Sequence, residues 1–217
     1  MKIKNIIFYI ILICSVSACE KSIETERFML SSNEKELAPY TLNQTVKFVH
    51  SNGYEFDFKV TDVKLNILRK YEIPNIMFQS GNYIAYQIKS VTMTSTYPKL
   101  TMKIELGYLN YSFVNPIDSL NNTTVVSSVD SMKGLRVYFN NHYAYLNYNK
   151  DLVFDCKSDS VSCYDSIEIN GQTYLNVIES KFYYHSDSID SSPKSVLYNS
   201  KGILQIKLCN NENFSIK

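Results

Sequence analysis

The chain has 217 residues, 22 basic against 21 acidic, and 45% hydrophobic side chains. A nearly neutral chain without a basic run lacks the electrostatic footprint of a nucleic-acid binder. The apolar fraction is enough to bury a core, and the length allows one sizeable domain or two small ones.

Residues 1–18 read as a secretory signal. Lys2 and Lys4 precede the apolar stretch from Ile6 to Cys14, and small residues follow. The stretch is shorter than the roughly 20 residues a transmembrane helix needs. The run Val16-Ser17-Ala18-Cys19 resembles the lipobox of bacterial lipoproteins. The resemblance implies a signal helix cleaved before Cys19, with acylation of the Cys19 thiol and new amino group. Such a chain is held to a bilayer because each buried methylene contributes about 0.8 kcal/mol. Residue 20 is Glu. By resemblance to enteric lipoproteins, an Asp there would signal inner-membrane retention. The expected address is therefore the cell envelope, anchored by lipid to the outer membrane and facing the periplasm or the surface. Residues 19–37 are polar without a sustained period and read as a flexible tether. A short capping helix over Glu24–Leu30 is the alternative for that segment.

From residue 38 to 217 the chain reads as strand after strand, a β-rich domain with heavy tyrosine usage and few glycines. The turn Ser51-Asn52-Gly53 separates Thr45–His50 from Tyr54–Val60. The alternation then slips, and a bulge near Thr61-Asp62 would return Val63, Leu65 and Ile67 to the core face. Tyr97-Pro98 separates Tyr83–Thr96 from Leu100–Tyr111. Leu100, Met102, Ile104, Leu106 and Tyr108 share one face, with Thr101, Lys103 and Glu105 on the other. That period of two is the mark of an antiparallel strand with one wet face. Asn115–Met132 is a polar loop or linker and a candidate subdivision of the domain. Asn140-Asn141 divides Leu135–Phe139 from Tyr143–Tyr148, and Asn170-Gly171 between Ser166–Ile169 and Gln172–Ile178 is the strongest hairpin signal. The fold class expected is mainly β, an antiparallel sheet arranged as a sandwich or as a curved, open barrel-like sheet.

The segment Ile167-Glu168-Ile169-Asn170-Gly171-Gln172-Thr173-Tyr174-Leu175-Asn176-Val177, followed by Tyr198-Asn199-Ser200-Lys201-Gly202-Ile203, resembles the C-terminal region of uncharacterised Bacteroidota-type lipoproteins. It covers about the last quarter of the chain. The resemblance implies a β-rich lipoprotein and brings no catalytic residue with it. Asp-Ser-aliphatic tripeptides recur at Asp118, Asp130, Asp159, Asp165 and Asp187. They are similar to the O-glycosylation acceptor of Bacteroidota envelope proteins, which makes Ser119, Ser131, Ser160 and Ser188 the candidate acceptors. Ser166 is disfavoured because it opens a strand.

The remaining chemistry is sparse. Of five cysteines, Cys14 leaves with the signal and Cys19 is the lipidation site, while Cys156 and Cys163 are close enough in sequence for a disulfide in an oxidising compartment. Cys209 reads as a small buried hydrophobe. The three histidines, His50, His142 and His185, lie beside turns without metal-ligand spacing, so no metal or cofactor is expected. Asp151, Asp155, Asp159 and Asp165 read as a solvated loop rather than a calcium site. Tyr138, Tyr143, Tyr145, Tyr148 and Tyr183 read as cross-strand packing, with stacking on sugars or peptides as the alternative. The function expected is a non-enzymatic binding or structural accessory role in the envelope. The rivals are a carrier of a lipid or other apolar ligand in a curved sheet, and an envelope hydrolase. Partners would be the membrane, through the lipid, and an envelope protein, glycan or apolar ligand.

Overall fold

The computed structural model describes residues 23–71, 83–108, 133–140, 142–149, 151–156, 158–183 and 192–217. Its elements in chain order are β1 (Glu24–Phe28), α1 (Ser32–Glu36), β2 (Thr45–His50), β3 (Glu55–Tyr71), β4 (Tyr83–Ser95), β5 (Leu100–Tyr108), β6 (Lys133–Phe139), β7 (His142–Asn147), β8 (Val161–Ile169), β9 (Gln172–Tyr183), β10 (Pro193–Asn199), β11 (Gly202–Leu208) and β12 (Asn213–Ile216). The chain divides into a unit of residues 30–66 and 87–217 and a unit of residues 1–29 and 67–86. Cys19 and the signal helix expected before it lie outside the described residues.

The larger unit is a closed, antiparallel β-barrel. Ten strands follow in the order β4-β3-β2-β12-β11-β10-β9-β7-β6-β5, and β4 pairs β5 to complete the circuit. The mainly β, antiparallel expectation is met in its barrel-like form. Closure sends alternate side chains inward: Met102, Ile104 and Leu106 from β5, Leu135, Val137 and Phe139 from β6, Phe56, Phe58 and Val60 from β3. The rings of Phe48, Phe56 and Phe58 meet at 5.4 to 6.3 Å. These residues belong to one buried cluster, so the lumen is a packed core. Each fully buried side chain of this size contributes about 1.5–3 kcal/mol.

The β4–β5 seam needs a glycine. Gly107 lies opposite Ile88 at φ +136°, and a Cβ there would stand 2.6 Å from the Gln87 carbonyl oxygen. No larger residue allows the backbones to come this close. β5 and β6 pair down to Tyr108 opposite Lys133, so the strands flanking segment 115–132 are neighbours in one barrel. The proposed subdivision there does not separate two domains.

Two sequence expectations give way. The bulge or corner expected near Thr61-Asp62 does not carry the core face as far as Leu65 and Ile67, although β3 runs on to Tyr71. Val63 packs partly against the core, whereas Leu65 and Ile67 are 51% and 44% exposed. Within the expected tether, Glu24–Phe28 is a strand and Ser32–Glu36 a helix. Backbone pairing orders the first. In the smaller unit β1 runs parallel to the start of β4, with Glu24 opposite Tyr83 and Phe28 opposite Tyr86. A capping box orders the second: the Glu34 amide donates to Ser31 Oγ at 3.2 Å, and the Ser31 amide donates to Glu34 Oε2 at 2.7 Å.

The stretch from α1 to Tyr40 is fastened to one end of the barrel. Glu34 is buried and pairs with Lys133 at 3.0 Å. The Lys89 ammonium donates to the Lys35 and Ala38 carbonyls at 2.9 and 2.7 Å, adding a second bond to each beside the helix C-terminus. The Tyr198 hydroxyl donates to the Leu37 carbonyl, and the Ile203 amide donates to the Tyr40 hydroxyl at 2.7 Å. Ala38 and Tyr40 join the barrel core.

Gly202 makes this fastening testable. It adopts φ +101°, and a Cβ there would meet Tyr40 Oη at 2.2 Å. Gly202→Ala is expected to destabilise the protein by about 2 kcal/mol, the range of a strained backbone plus a displaced buried hydrogen bond. Urea denaturation measures it. An unchanged midpoint would remove Tyr40 from its proposed clamp.

Candidate functional site

The β8–β9 hairpin branches from the barrel: β9 is a strand of the circuit, and β8 pairs with it off that path. Its turn uses Asn170 at φ 51° and Gly171 at φ 75°, the primed geometry expected from Asn-Gly. β9 carries β10 on one side, and β8 pairs along it from Val161–Ser180 to Ile169–Gln172. A second buried cluster of Ile169, Tyr174, Val177, Leu197 and Leu204 joins the hairpin to the outer faces of β10 and β11. The Asn199 amide nitrogen donates to the Leu175 carbonyl at 3.1 Å, and that of Asn170 donates to the Ile216 carbonyl at 3.0 Å. This is why β10 is buried on both faces rather than alternating.

A carboxylate pins the hairpin. Glu179 accepts from Ser195 Oγ, from Lys207 Nζ at 3.0 Å and from Tyr164 Oη at 3.0 Å. Burial pushes its pKa upward, but the bonds from Ser195 and Lys207 outweigh burial and hold it below 4.5.

A cleft of about 570 Å³ opens where the hairpin meets the end of the barrel carrying α1. Its apolar lining is Leu37, Leu152, Val153, Phe154, Val177 and Ile178, with Asp165, Asn176 and Asn199 as polar groups. The loop on one wall is organised by Asn149. Its Oδ1 accepts from the Asp151 and Val153 amides at 2.9 and 3.1 Å, and Leu152 takes φ 61°. Phe154 packs edge-on against Tyr148 and Tyr198. The Cys156–Cys163 disulfide, with Cα atoms 5.8 Å apart, ties this loop to the start of β8 and lines the cleft. Opposite, β8–β9 pairing is interrupted at Asp165 and Asn176, where Asn176 adopts φ 52°.

The other sequence-derived candidates are dispersed. Ser160 is half-buried in a turn, and its Oγ lies 2.8 Å from Ser158 Oγ. Ser166 lies within β8 opposite Leu175, as expected of a strand residue. Ser119, Ser131, Ser188 and His185 lie outside the described residues. Cys209 is exposed at the end of β11 rather than buried, because the chain turns there. His50 accepts from the Asn52 amide at 3.2 Å, stands 3.6 Å from Glu212 and rests on Phe214, so it locks a turn. His142 opens β7 opposite Phe139.

The tyrosines pack across strands on the barrel's outer face. Tyr143 stacks on Tyr183 at 5.3 Å and approaches Tyr138 at 6.1 Å. Sequence reading missed their centre, Arg136. It is 4% exposed although it points outward, and its guanidinium lies 5.5 to 5.8 Å from the rings of Tyr138, Tyr143 and Tyr145. Tyr148 belongs instead to the lumen core. The cleft lining was missed too, although Leu152-Val153-Phe154 is an apolar triplet inside an otherwise polar loop.

Comparison with protein-family models, curated proteins and solved structures finds no match.

Two outcomes test this site. Replacing Cys156 and Cys163 by Ser is expected to cost about 2–3 kcal/mol under oxidising conditions, the chain-entropy value for so short a ring. Peptide mapping without reductant should give the two cysteines linked. The second concerns acid. Glu179 has a lowered folded pKa, so its stabilisation is complete above 4.5 and is lost as pH falls through the folded value. The thermal midpoint should therefore drop on acidification below pH 4.5, and Glu179→Gln should flatten that slope. Glu34, lowered against its own burial by bonds from Ser31 and Lys133, keeps part of it.

Proposed function

We propose that this chain is a lipid-anchored protein of the cell envelope with a non-enzymatic binding role, and that the cleft beneath the β8–β9 hairpin holds an apolar or amphipathic ligand. The observation that carries the reading is the chemistry of that cleft. Six apolar side chains line it, and polar groups stand at a few points, the pattern of a small-molecule site. Its volume falls in the range of such sites. The lumen is an unsuitable place for cargo, since Phe48, Phe58, Met93 and Met102 fill it. A carrier reading is therefore moved from the concave face of the sheet to its outside. The anchor is supported by the sequence before and at Cys19, and the membrane is the partner it implies. Among the described residues no helix is long and apolar enough to cross a membrane.

A filling mutation tests the cleft. Val153 lies on its rim and is 60% exposed, so Val153→Trp narrows the space with little effect on folding. Titration with the fluorescent fatty acid cis-parinaric acid should show saturable binding, weakened about tenfold or more by Val153→Trp, equivalent to about 1.4 kcal/mol. Binding that is absent, or equal in the variant, would defeat the cleft reading. The anchor is tested separately. Cys19→Ala should abolish incorporation of labelled fatty acid and release the protein from membranes.

A further inference from the structure

The apolar cleft carries charge of one sign. Of the residues that line it, Asp165 alone is charged, and among the described residues no lysine or arginine is part of the lining. The alternation of β8 accounts for the placement. Asp165 shares a face with Cys163, whose register partner is Ile178, and all three line the cleft. Asp165 is also exposed, so it stands where the cleft opens to solvent.

The Asp165 carboxylate is uncommitted. Among the described residues it makes no hydrogen bond or ion pair. Two other polar side chains of the lining are already engaged. Tyr164 Oη donates to Glu179. The Asn199 side chain donates to the Leu175 carbonyl and accepts from the Lys201 amide. Asp165, Asn176 and Ser200 are left to meet a ligand. The Lys201 ammonium, next to Ser200 in the chain, stands 5.4 Å over the Tyr174 ring in the second buried cluster. The surrounding segment has the same sign as Asp165. Residues 149–165 hold Asp151, Asp155, Asp159 and Asp165 against Lys150 and Lys157.

We infer that the ligand of this cleft is a cationic amphiphile, an apolar chain that ends in an ammonium group. The inference rests on the cleft reading above and adds the sign of the head. The chain covers Leu152, Phe154, Val177 and Ile178. The ammonium stands at the opening, where Asp165 accepts a charge-assisted hydrogen bond from it. An ammonium has three donors, and Asn176 and Ser200 offer further acceptors in the same lining. Other heads fit worse. A carboxylate or phosphate meets Asp165 with no cation in the lining to answer it. A hydroxyl gains a hydrogen bond without the charge attraction. A bare hydrocarbon that covers Asp165 strips its water and replaces nothing. Because Asp165 is exposed, the attraction is that of a surface pair, a few-fold in affinity and screened by salt. Cis-parinaric acid enters by its chain, with its carboxylate turned to water.

Displacement of cis-parinaric acid from the full chain reads the sign of the head. The competitors are dodecylamine, dodecanol and dodecanoate, equal in chain length and each below its aggregation concentration. Dodecylamine is expected to displace the probe at a concentration about fivefold below that of dodecanoate, with dodecanol between them. Added salt should narrow the difference. Asp165→Asn should abolish it while leaving dodecanol and the thermal midpoint unchanged. Glu168→Gln makes the same change of charge on the opposite face of β8 and should keep the parent preference. If neither the probe nor any competitor binds, the cleft reading fails and this inference with it. If amine and carboxylate displace the probe equally, the cleft stands and the cationic head is overturned. The same holds if the preference survives Asp165→Asn or is lost as fully in Glu168→Gln.

Discussion

Everything in the larger unit depends on the hydrogen bonding of β4 to β5. That seam converts an open run of strands into a closed circuit and abolishes two free edges. Closure then divides every strand into an inner and an outer face, and the inner faces find each other across a space narrow enough for side chains to fill. The seam is possible only because Gly107 lets the backbone approach Gln87. A single small residue thus governs whether Met102, Ile104 and Leu106 meet Phe58 and Val137 or remain on one face of an open sheet. The large rings and the methionines suit this space, since an odd-shaped interior is filled best by side chains that can bend or interlock.

A filled lumen moves binding elsewhere. The outside of a barrel wall is ordinarily wet, yet here Leu197 and Leu204 point outward and are fully buried. The β8–β9 hairpin covers them, and its own Val177 and Tyr174 complete the second cluster. Two layers that meet along only part of their length leave space where they diverge. The apolar cleft is that space, fixed on one side by the Cys156–Cys163 bridge and on the other by the Glu179 network. A half-buried carboxylate serves as the pin. Its bonds to Ser195 and Lys207 reach β10 and β11, while Tyr164 joins it from within the hairpin.

The two ends of the barrel differ in chemistry. At one, the Lys35, Leu37 and Ala38 carbonyls accept from Lys89 and Tyr198, the Tyr40 hydroxyl accepts from the Ile203 amide, and the core is closed. At the other, Ser95 Oγ has no hydrogen-bond partner among the described residues and Tyr97 is exposed. The first end is sealed and has its apolar cleft beside it. The second carries Lys47, Glu55 and Asp57 and is open at the rim.

What the sequence determined by itself was whatever depends on neighbours in the chain. The alternation of Leu100 to Tyr108, the primed turn at Asn170-Gly171 and the nearness of Cys156 to Cys163 are local, and each was legible. The lipobox-like run ending at Cys19, on which the anchor is proposed, is local too. Only the tertiary structure decided the rest, because those features depend on residues far apart in sequence. Leu65 and Ile67 continue a good strand pattern, but whether that face meets a core depends on where the barrel ends. Arg136 reads as a surface residue until three tyrosines from two strands close over it. Ser31 and Glu34 form a legible capping box, but Lys133, which pairs with Glu34, arrives from a hundred residues away. The apolar cleft gathers Leu37, Phe154 and Val177 from three segments. No local period encodes such meetings, since they are set by strand order and by the closure of the sheet.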